Sequence, residues 1–386
     1  MAEDFVPQDD VLRLAELRFR VGRESGDNER LKAELKQELE SRLAVGWIDL
    51  ACKELGWELS ESELQKMKEL QDQVDVKLKM FDDKIKDAEE NLGESEVRDA
   101  LQQKTEFLVQ IGKHEMAVES CKKTMSATVG VGQRLDLVMM MIRMGLAEKN
   151  YEFTAKQLET AKDMVEKGGD WERRNRLRVY EATYLMAIRK LSESAALFQE
   201  ALATFSASEL YSYERFVQYT VLVCMPCVDR PTLKDKVSNA PEVLAVILEL
   251  PLLRQFVESL VKCDYKTYMN ALPDVLQDVS ADYYLAVHVN YLGRELRVTA
   301  YLQFLASYLS VTLSAMSRAF GVSEEFLDSE MTRFIAAGRL NCKIDKVSGI
   351  IETTRPDARN SIYQATIKQG DLLLNRIQKL SRVIDI

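Results

Sequence analysis

Residues 323–353 read SEEFLDSEMTRFIAAGRLNCKIDKVSGIIET, and the punctuation of this stretch decides the fold around it. Ser323 is a good N-cap, and Glu324 and Glu325 follow where first-turn carboxylates meet the positive end of a helix. Gly338 suits the C′ position, which needs a left-handed backbone, so the spacing predicts a helix over Ser323–Ala337. Leu340–Ile344 and Gly349–Thr353 then read as two short strands, connected through Asp345, Lys346, Val347 and Ser348. Upstream, Leu309–Phe320 reads as another helix, ending in a turn at Gly321-Val322. Two helices in a tight turn followed by a β-hairpin make a winged-helix arrangement.

Outward from this unit the chain is helical in both directions. Pro356 separates it from a last helix over Ser361–Ile384, on which Leu373, Ile377, Leu380 and Ile384 step by four, three and four. Before it, Tyr283–Tyr308 reads as one strong helix, with Leu285, Val289, Leu292, Leu296 and Leu305 among its apolar residues. Pro226, Pro231, Pro241 and Pro251 mark a break further upstream.

Helix pairs are predicted at Glu96–Gln110 with Glu115–Thr128, at Arg134–Glu148 with Glu152–Lys167, and at Trp171–Arg189 with Ser192–Phe205. Each second helix has a small residue near its start, Ala117, Ala155 and Ser194, at spacings of 38 and 39. A small side chain there lets paired helices approach closely, and a near-constant period implies stacked units. Gly112, Phe198 and Ala201 sit at tetratricopeptide-like offsets, although the period is longer than that of the tetratricopeptide repeat.

Over Glu61–Leu92, Leu64, Met67, Val74, Leu78, Phe81, Ile85, Ala88 and Leu92 step mostly by threes and fours, with Gln71 in the one polar slot. This heptad seam predicts a helix about 45 Å long, able to pair with another chain or to lie on its own domain. From Asp9 to Trp57, Leu12, Leu14, Leu17 and Phe19 precede a polar break at Gly22–Asn28, after which Leu31, Leu35, Leu39 and Leu43 recur every fourth residue. Trp47 and Trp57 bracket a third short element, and both rings are expected in the core.

The 386-residue chain favours two or three folding units, and its 7 prolines and 16 glycines are too few for a strand-rich fold. A net charge of −10 makes phosphate backbones and anionic lipid poor default partners. Met1–Asp10 carries no apolar run, and no stretch of about 18 apolar residues exists, so neither a signal peptide nor a membrane span is expected. Cytoplasm and nucleus follow as the expected compartments, with the six cysteines as thiols.

No ligand set for chemistry emerges. His114 and His288 are the only histidines, and they lie in different helical segments, whereas a zinc hydrolase needs two converging on one ion. Cys224-Met-Pro-Cys227 matches Cys-x-x-Cys, but it follows the apolar run Phe216–Val223 in a helical region rather than a strand, and no second pair exists. Buried structural thiols are the expectation. Phosphate-loop, dinucleotide-binding and nucleophile-elbow motifs are missing, and the many carboxylates sit among lysines and arginines on periodic helix faces. No catalytic, metal or cofactor residue is assigned, and an enzyme is not expected. The helix that would enter a DNA groove carries Glu324, Glu325, Asp328 and Glu330 against Arg333 alone, the wrong sign for phosphate. The hairpin and its flanks are only mildly basic, with Arg339, Lys343, Lys346, Arg355 and Arg359 against Asp345, Glu352 and Asp357. The winged helix is therefore expected to bind protein.

Four motifs carry a family resemblance over nearly the whole chain, weakening before about Glu54. They are Asp87–Asp99 (DAEENLGESEVRD), Gly168–Tyr180 (GGDWERRNRLRVY), Arg333–Lys346 (RFIAAGRLNCKIDK) and Gly370–Ile384 (GDLLLNRIQKLSRVI). Each resembles the subunit 6 family of the proteasome regulatory-particle lid. The resemblance implies a mostly α chain: a solenoid, then a PCI module of helical bundle plus winged helix, then a C-terminal helix. It implies domains at 1–95 (including the 61–92 helix), 96–190, 191–358 (winged helix 309–358) and 359–386. It also implies an architectural role in ubiquitin-dependent degradation, the ubiquitin-removing activity belonging to a different, zinc-dependent subunit. The paired cysteines Cys224 and Cys227 depart from the family pattern.

The partners implied are other lid subunits in a hetero-oligomer, reached through the winged helix and a shared bundle of C-terminal helices; neither nucleic acid nor membrane is expected. The hairpin strands near Ile344 and Ile350 offer an edge that a neighbour can extend. The seam of Leu373, Ile377, Leu380 and Ile384 has nothing beyond it in the chain to cover it. The alternatives are the paralogous signalosome and a PCI scaffold of translation initiation factor three.

Overall fold

The three predicted helix pairs form, with ends shifted by a few residues. They are α5 (Glu94–Ile111) with α6 (His114–Ala127), α7 (Val131–Ala147) with α8 (Tyr151–Glu166), and α9 (Trp171–Ala187) with α10 (Leu191–Ala201). A computed structural model describes residues 8–23, 28–57, 61–91, 93–168, 170–354 and 358–384. Leu92, Arg355, Pro356 and Asp357 lie outside the described residues, as do residues 24–27 of the expected polar break.

The repeat register differs from the expected one. Each first helix closes on a left-handed residue, Gly112, Lys149 and Arg189, with φ of 80°, 57° and 68°. Five residues after each come Ala117, Thr154 and Ser194, all fully buried. The spacings are thus 37 and 40, and Thr154 takes the slot expected for Ala155, which is half-buried. The slot is tight: a Cβ on Gly145 of α7 would lie 2.5 Å from Thr154 Oγ1, and Ser194 Oγ donates to the Ala182 carbonyl at 2.8 Å. Threonine fits because its hydroxyl donates to the Asn150 carbonyl at 2.8 Å, leaving no buried polar atom unmatched.

Ahead of the repeats come α1 (Asp10–Arg23), α2 (Asn28–Ser41), α3 (Val45–Leu55) and α4 (Glu61–Asn91). The α4 seam packs within the chain. Val74, Leu78 and Ala88 are buried, Phe81 meets Phe107 of α5 at 5.5 Å between centroids, and among the described seam residues only Leu64 at the N-terminal end stays exposed. Trp47 is buried as expected, and its indole N–H donates to the Val109 carbonyl at 3.3 Å. Trp57 is only half-buried, with the Lys36 ammonium 5.4 Å from its ring centroid. Gly46 is required where α3 meets the α5–α6 turn, since a Cβ there would lie 2.3 Å from the Gly112 carbonyl oxygen.

The segment leading into α1 is clamped to the repeats by charge. Asp9 pairs with Arg143 at 2.6 Å, Arg143 donates to Tyr180 Oη at 2.7 Å, and Tyr180 donates to Glu209 at 2.9 Å. Arg176 closes the chain of contacts on Glu209 at 2.6 Å. Every member has a partner, which a buried ionic network needs in order not to destabilise.

After α10 come α11 (Tyr213–Cys227), α12 (Arg230–Leu233), α13 (Pro241–Ile247), α14 (Pro251–Lys262), α15 (Tyr265–Ser280) and α16 (Val289–Leu305). The prolines expected to mark a break act mostly as helix starts. Pro231 and Pro241 sit in first turns and Pro251 opens α14, where the missing N–H costs nothing, while Pro226 lies inside the last turn of α11. The strong helix expected from Tyr283 begins only at Val289. Asp282 intervenes, its carboxylate accepting from the Tyr284 and Leu285 N–H groups at 2.9 Å each, which holds a turn there.

Backbone contacts divide the chain into a larger unit, residues 1–258 with 272–293, and a smaller one, residues 259–271 with 294–386. The smaller unit ends in β1 (Ser310–Thr312), α17 (Leu313–Phe320), α18 (Glu324–Ala336), β2 (Cys342–Asp345), β3 (Ile350–Thr353) and α19 (Ala358–Ile384).

Candidate interaction surfaces

The winged helix is organised by its caps. Ser323 Oγ accepts from the Phe326 N–H at 3.3 Å, and Gly338 takes the left-handed conformation at φ 68°. In the hairpin turn, Asp345 accepts from the Val347 N–H at 2.9 Å and from Ser348 Oγ at 2.6 Å. These bonds hold its carboxyl below the usual carboxylate range, the Ser348 hydroxyl first and the Val347 N–H next. Gly349, at φ 66°, closes the turn.

The sheet order is β1-β3-β2, both pairings antiparallel. The strand β1 is unexpected, since the sequence reads as helix from Leu309. Ser310, Val311 and Thr312 instead pair with Glu352, Ile351 and Ile350, and Thr312 then caps α17 by accepting from the Ala315 N–H at 3.3 Å. Ile350 therefore lies on the central strand, with both backbone edges occupied. Of the two hairpin residues singled out, only Ile344 is on an edge strand, and both side chains are half-buried.

The acidic face of α18 is smaller than its sequence suggests. Glu330 is turned inward, accepting from Arg297 Nε at 2.8 Å and from Tyr301 Oη at 2.7 Å. Burial and the neighbouring Glu330 together raise the Tyr301 phenol, burial more strongly. Asp328 pairs with Lys346 at 3.0 Å. Glu324 and Glu325 remain exposed, so the outward charge stays negative where a phosphate backbone would need the opposite.

Along α19, every described side chain from Ile362 to Ile384 is exposed. Leu373, Ile377, Leu380 and Ile384 are 61%, 55%, 62% and 72% exposed, joined by Ile362, Tyr363, Ile367, Leu372, Leu374 and Val383. Such a row is far beyond the scattered single apolar residues of an ordinary surface. The four seam residues from the sequence thus lie together on one element. The structure does not gather them with the hairpin residues into a single site.

The chemistry-bearing residues have structural partners. Cys224 is buried beside the Ala195 carbonyl and Gln199, and burial pushes its thiol up to about 12; Cys121 is pushed up to about 11 for the same reason. Thiols so held stay protonated at neutral pH and are poor nucleophiles. His114 Nδ1 lies 2.7 Å from Glu148, and His288 Nε2 lies 2.7 Å from the Ala187 carbonyl. Among the described residues, no three His, Cys, Asp or Glu side chains are placed to share a metal ion, and no helix is long and apolar enough to cross a membrane.

Family models and relatives agree with this architecture. Residues 63–236 match the 26S proteasome subunit RPN7 model, 272–355 the PCI domain, and 363–384 the RPN7/PSMD6 C-terminal helix. The chain is 48% identical over 326 residues to the 26S proteasome non-ATPase regulatory subunit 6 of Oryza sativa subsp. japonica, covering 84% of each. It is 43% identical over 375 residues to the Dictyostelium discoideum subunit of the same name, covering 97% of each. Against the 26S proteasome regulatory subunit RPN7 of Saccharomyces cerevisiae it is 36% identical over 313 residues, 80% of this chain and 73% of that one. A helical repeat array, a PCI module and an exposed terminal helix, matched along most of the chain, place it in the 26S proteasome non-ATPase regulatory subunit 6 (RPN7) family.

Proposed function

We propose that the chain is a non-catalytic scaffold subunit of the 26S proteasome regulatory-particle lid, supporting lid assembly for ubiquitin-dependent degradation in cytoplasm and nucleus. The observation that carries this reading is α19, a terminal helix with ten large apolar side chains in water on a chain of this family. Exposed apolar surface of that extent is stable only when a partner covers it. The β2 edge at Ile344 is the second proposed contact, through strand extension by a neighbouring subunit. The proposed division into 1–95, 96–190, 191–358 and 359–386 assigns contact with neighbours to the last two parts. The acidic α18 face supports protein rather than nucleic acid as the winged helix's partner, and the named relatives do not favour the signalosome or initiation factor three.

The test uses a tagged full-length chain carrying Leu373→Asp, Ile377→Asp and Leu380→Asp, beside a chain lacking residues 361–386. Both are expected to melt like the unaltered chain, because the residues changed in the first are exposed. Both are expected to lose co-purification with other lid subunits. Normal co-purification of either would remove α19 from the assembly interface.

A further inference from the structure

The larger unit holds a half-open cavity of about 380 Å³. It lies among α11, the turn into α14, and α15, and its volume is in the range of ligand-binding clefts. Leu222, Leu253, Val275 and Val279 give it a buried apolar floor. The polar wall is closed on itself. Asp282 accepts from Arg215 Nη2 at 2.7 Å, from Tyr219 Oη at 2.6 Å, and from two backbone N–H groups, which uses all four of its lone-pair directions. The Arg215 charge is matched there, so the wall presents no net charge to an occupant.

The mouth has a different character. Asp278 lines it, exposed, and Asp274 sits one helical turn earlier on α15; Glu249, also exposed, immediately precedes the lining residue Leu250. None of these three carboxylates makes an ion pair among the described residues. The nearby Arg254 is engaged with Glu258 at 2.7 Å, while Arg23 reaches the Ser280 carbonyl. In the segment that leads to Leu250, Leu244 and Leu248, four residues apart, are 42% and 60% exposed.

We propose that this cavity is a docking site for a basic amphipathic helical segment of another protein. One large apolar side chain fills the cavity, a second lies on Leu244 and Leu248, and lysines or arginines face Asp274, Asp278 and Glu249. Apolar anchors at helical spacing over a groove are a recurrent recognition mode, and the unmatched carboxylates select the sign of the flanking charge. The site is independent of the lid contacts proposed for α19 and the β2 edge.

The test is fluorescence anisotropy with the full-length chain and a labelled amphipathic helical peptide bearing leucines on one face and lysines elsewhere. One control peptide replaces its lysines with glutamate, the other its central leucines with alanine. The lysine peptide is expected to saturate the chain, and each control to bind at least about tenfold more weakly. Asp278→Lys, an exposed change, is expected to weaken the lysine peptide about fivefold without moving the melting temperature. Leu252→Arg, at the half-buried lip, is expected to abolish binding. Equal binding of the three peptides, indifference to Asp278→Lys, or no binding of the lysine peptide at about 100 µM would overturn the proposal.

Discussion

Glu330 offers the sharpest test of how the smaller unit is held together. Its carboxylate accepts from Arg297 and Tyr301, tying α18 to α16, and the residue is 9% exposed. Glu330→Ala leaves a guanidinium and a fully buried phenol without their partner. Breaking a buried pair costs about 3–5 kcal/mol, and the Arg297 side chain, 22% exposed, recovers part of this from water. The expected loss is therefore about 3 kcal/mol. Glu330→Gln keeps an acceptor for Tyr301 but loses the charge, at about 1–2 kcal/mol. Replacing all three members, Arg297→Met with Tyr301→Phe and Glu330→Leu, removes the desolvation cost together with the attraction and is expected to fall within about 1 kcal/mol of the unaltered chain. Trp47, Trp57 and Trp171, the only tryptophans, lie in the larger unit, so intrinsic fluorescence does not report on this change. Amide hydrogen exchange over residues 324–353 does. A loss of about 3 kcal/mol accelerates exchange there about 100-fold, with the repeats unaffected. Acceleration below about fivefold for Glu330→Ala, or a triple variant as unstable as the single one, would refute the reasoning.

Gly46→Ala is expected to destabilise the packing of α3 on the α5–α6 turn by about 3 kcal/mol or more, because backbone rather than a movable side chain meets the new methyl; an unchanged thermal melt would contradict this. Burial raises the Glu16 carboxyl above its ordinary 4.5, while the Gln8 hydrogen bond opposes the shift. The folded chain thus holds that proton to higher pH than the unfolded one, so the group's contribution is present below 4.5 and is lost as pH rises through the folded value. Glu16→Gln should flatten that part of the stability profile, and identical slopes would count against the assignment. Gly370 lies inside α19 with nothing within 4 Å of the place a methyl would take, so Gly370→Ala should strengthen the helix by about 1 kcal/mol, seen as added far-UV ellipticity.

Helix existence was legible because it depends on local periodicity. The six repeat helices, the α4 seam, the α18 caps and the terminal helix all follow from side chains within one or two turns. Features set by distant partners were hidden. Thr154 rather than Ala155 fills the tight slot because Gly145, nine residues earlier, approaches there. The strand β1 exists because β3, some forty residues later, supplies hydrogen bonds that three residues cannot supply for themselves. That pairing is also what removes Ile350 from the edge. Glu330 looks like a surface carboxylate on a charged helix until Arg297 and Tyr301 are brought beneath it. Of the candidate contacts, the α19 row was visible from spacing alone, whereas the cavity walled by α11 and α15 joins residues about sixty positions apart and leaves no local signal.

The exposure of α19 has a consequence for supply rather than for structure. A helix of 27 residues with no packed face among its described side chains is marginal in water, so an unassembled copy bears both the cost of ordering it and the solubility penalty of its apolar row. Both are relieved only by a partner, to an extent that grows with the partner's free concentration. A cell making this chain in excess of its neighbours would carry the surplus as a substrate for chaperones and proteases, so α19 makes the amount of usable protein depend on the stoichiometry of synthesis.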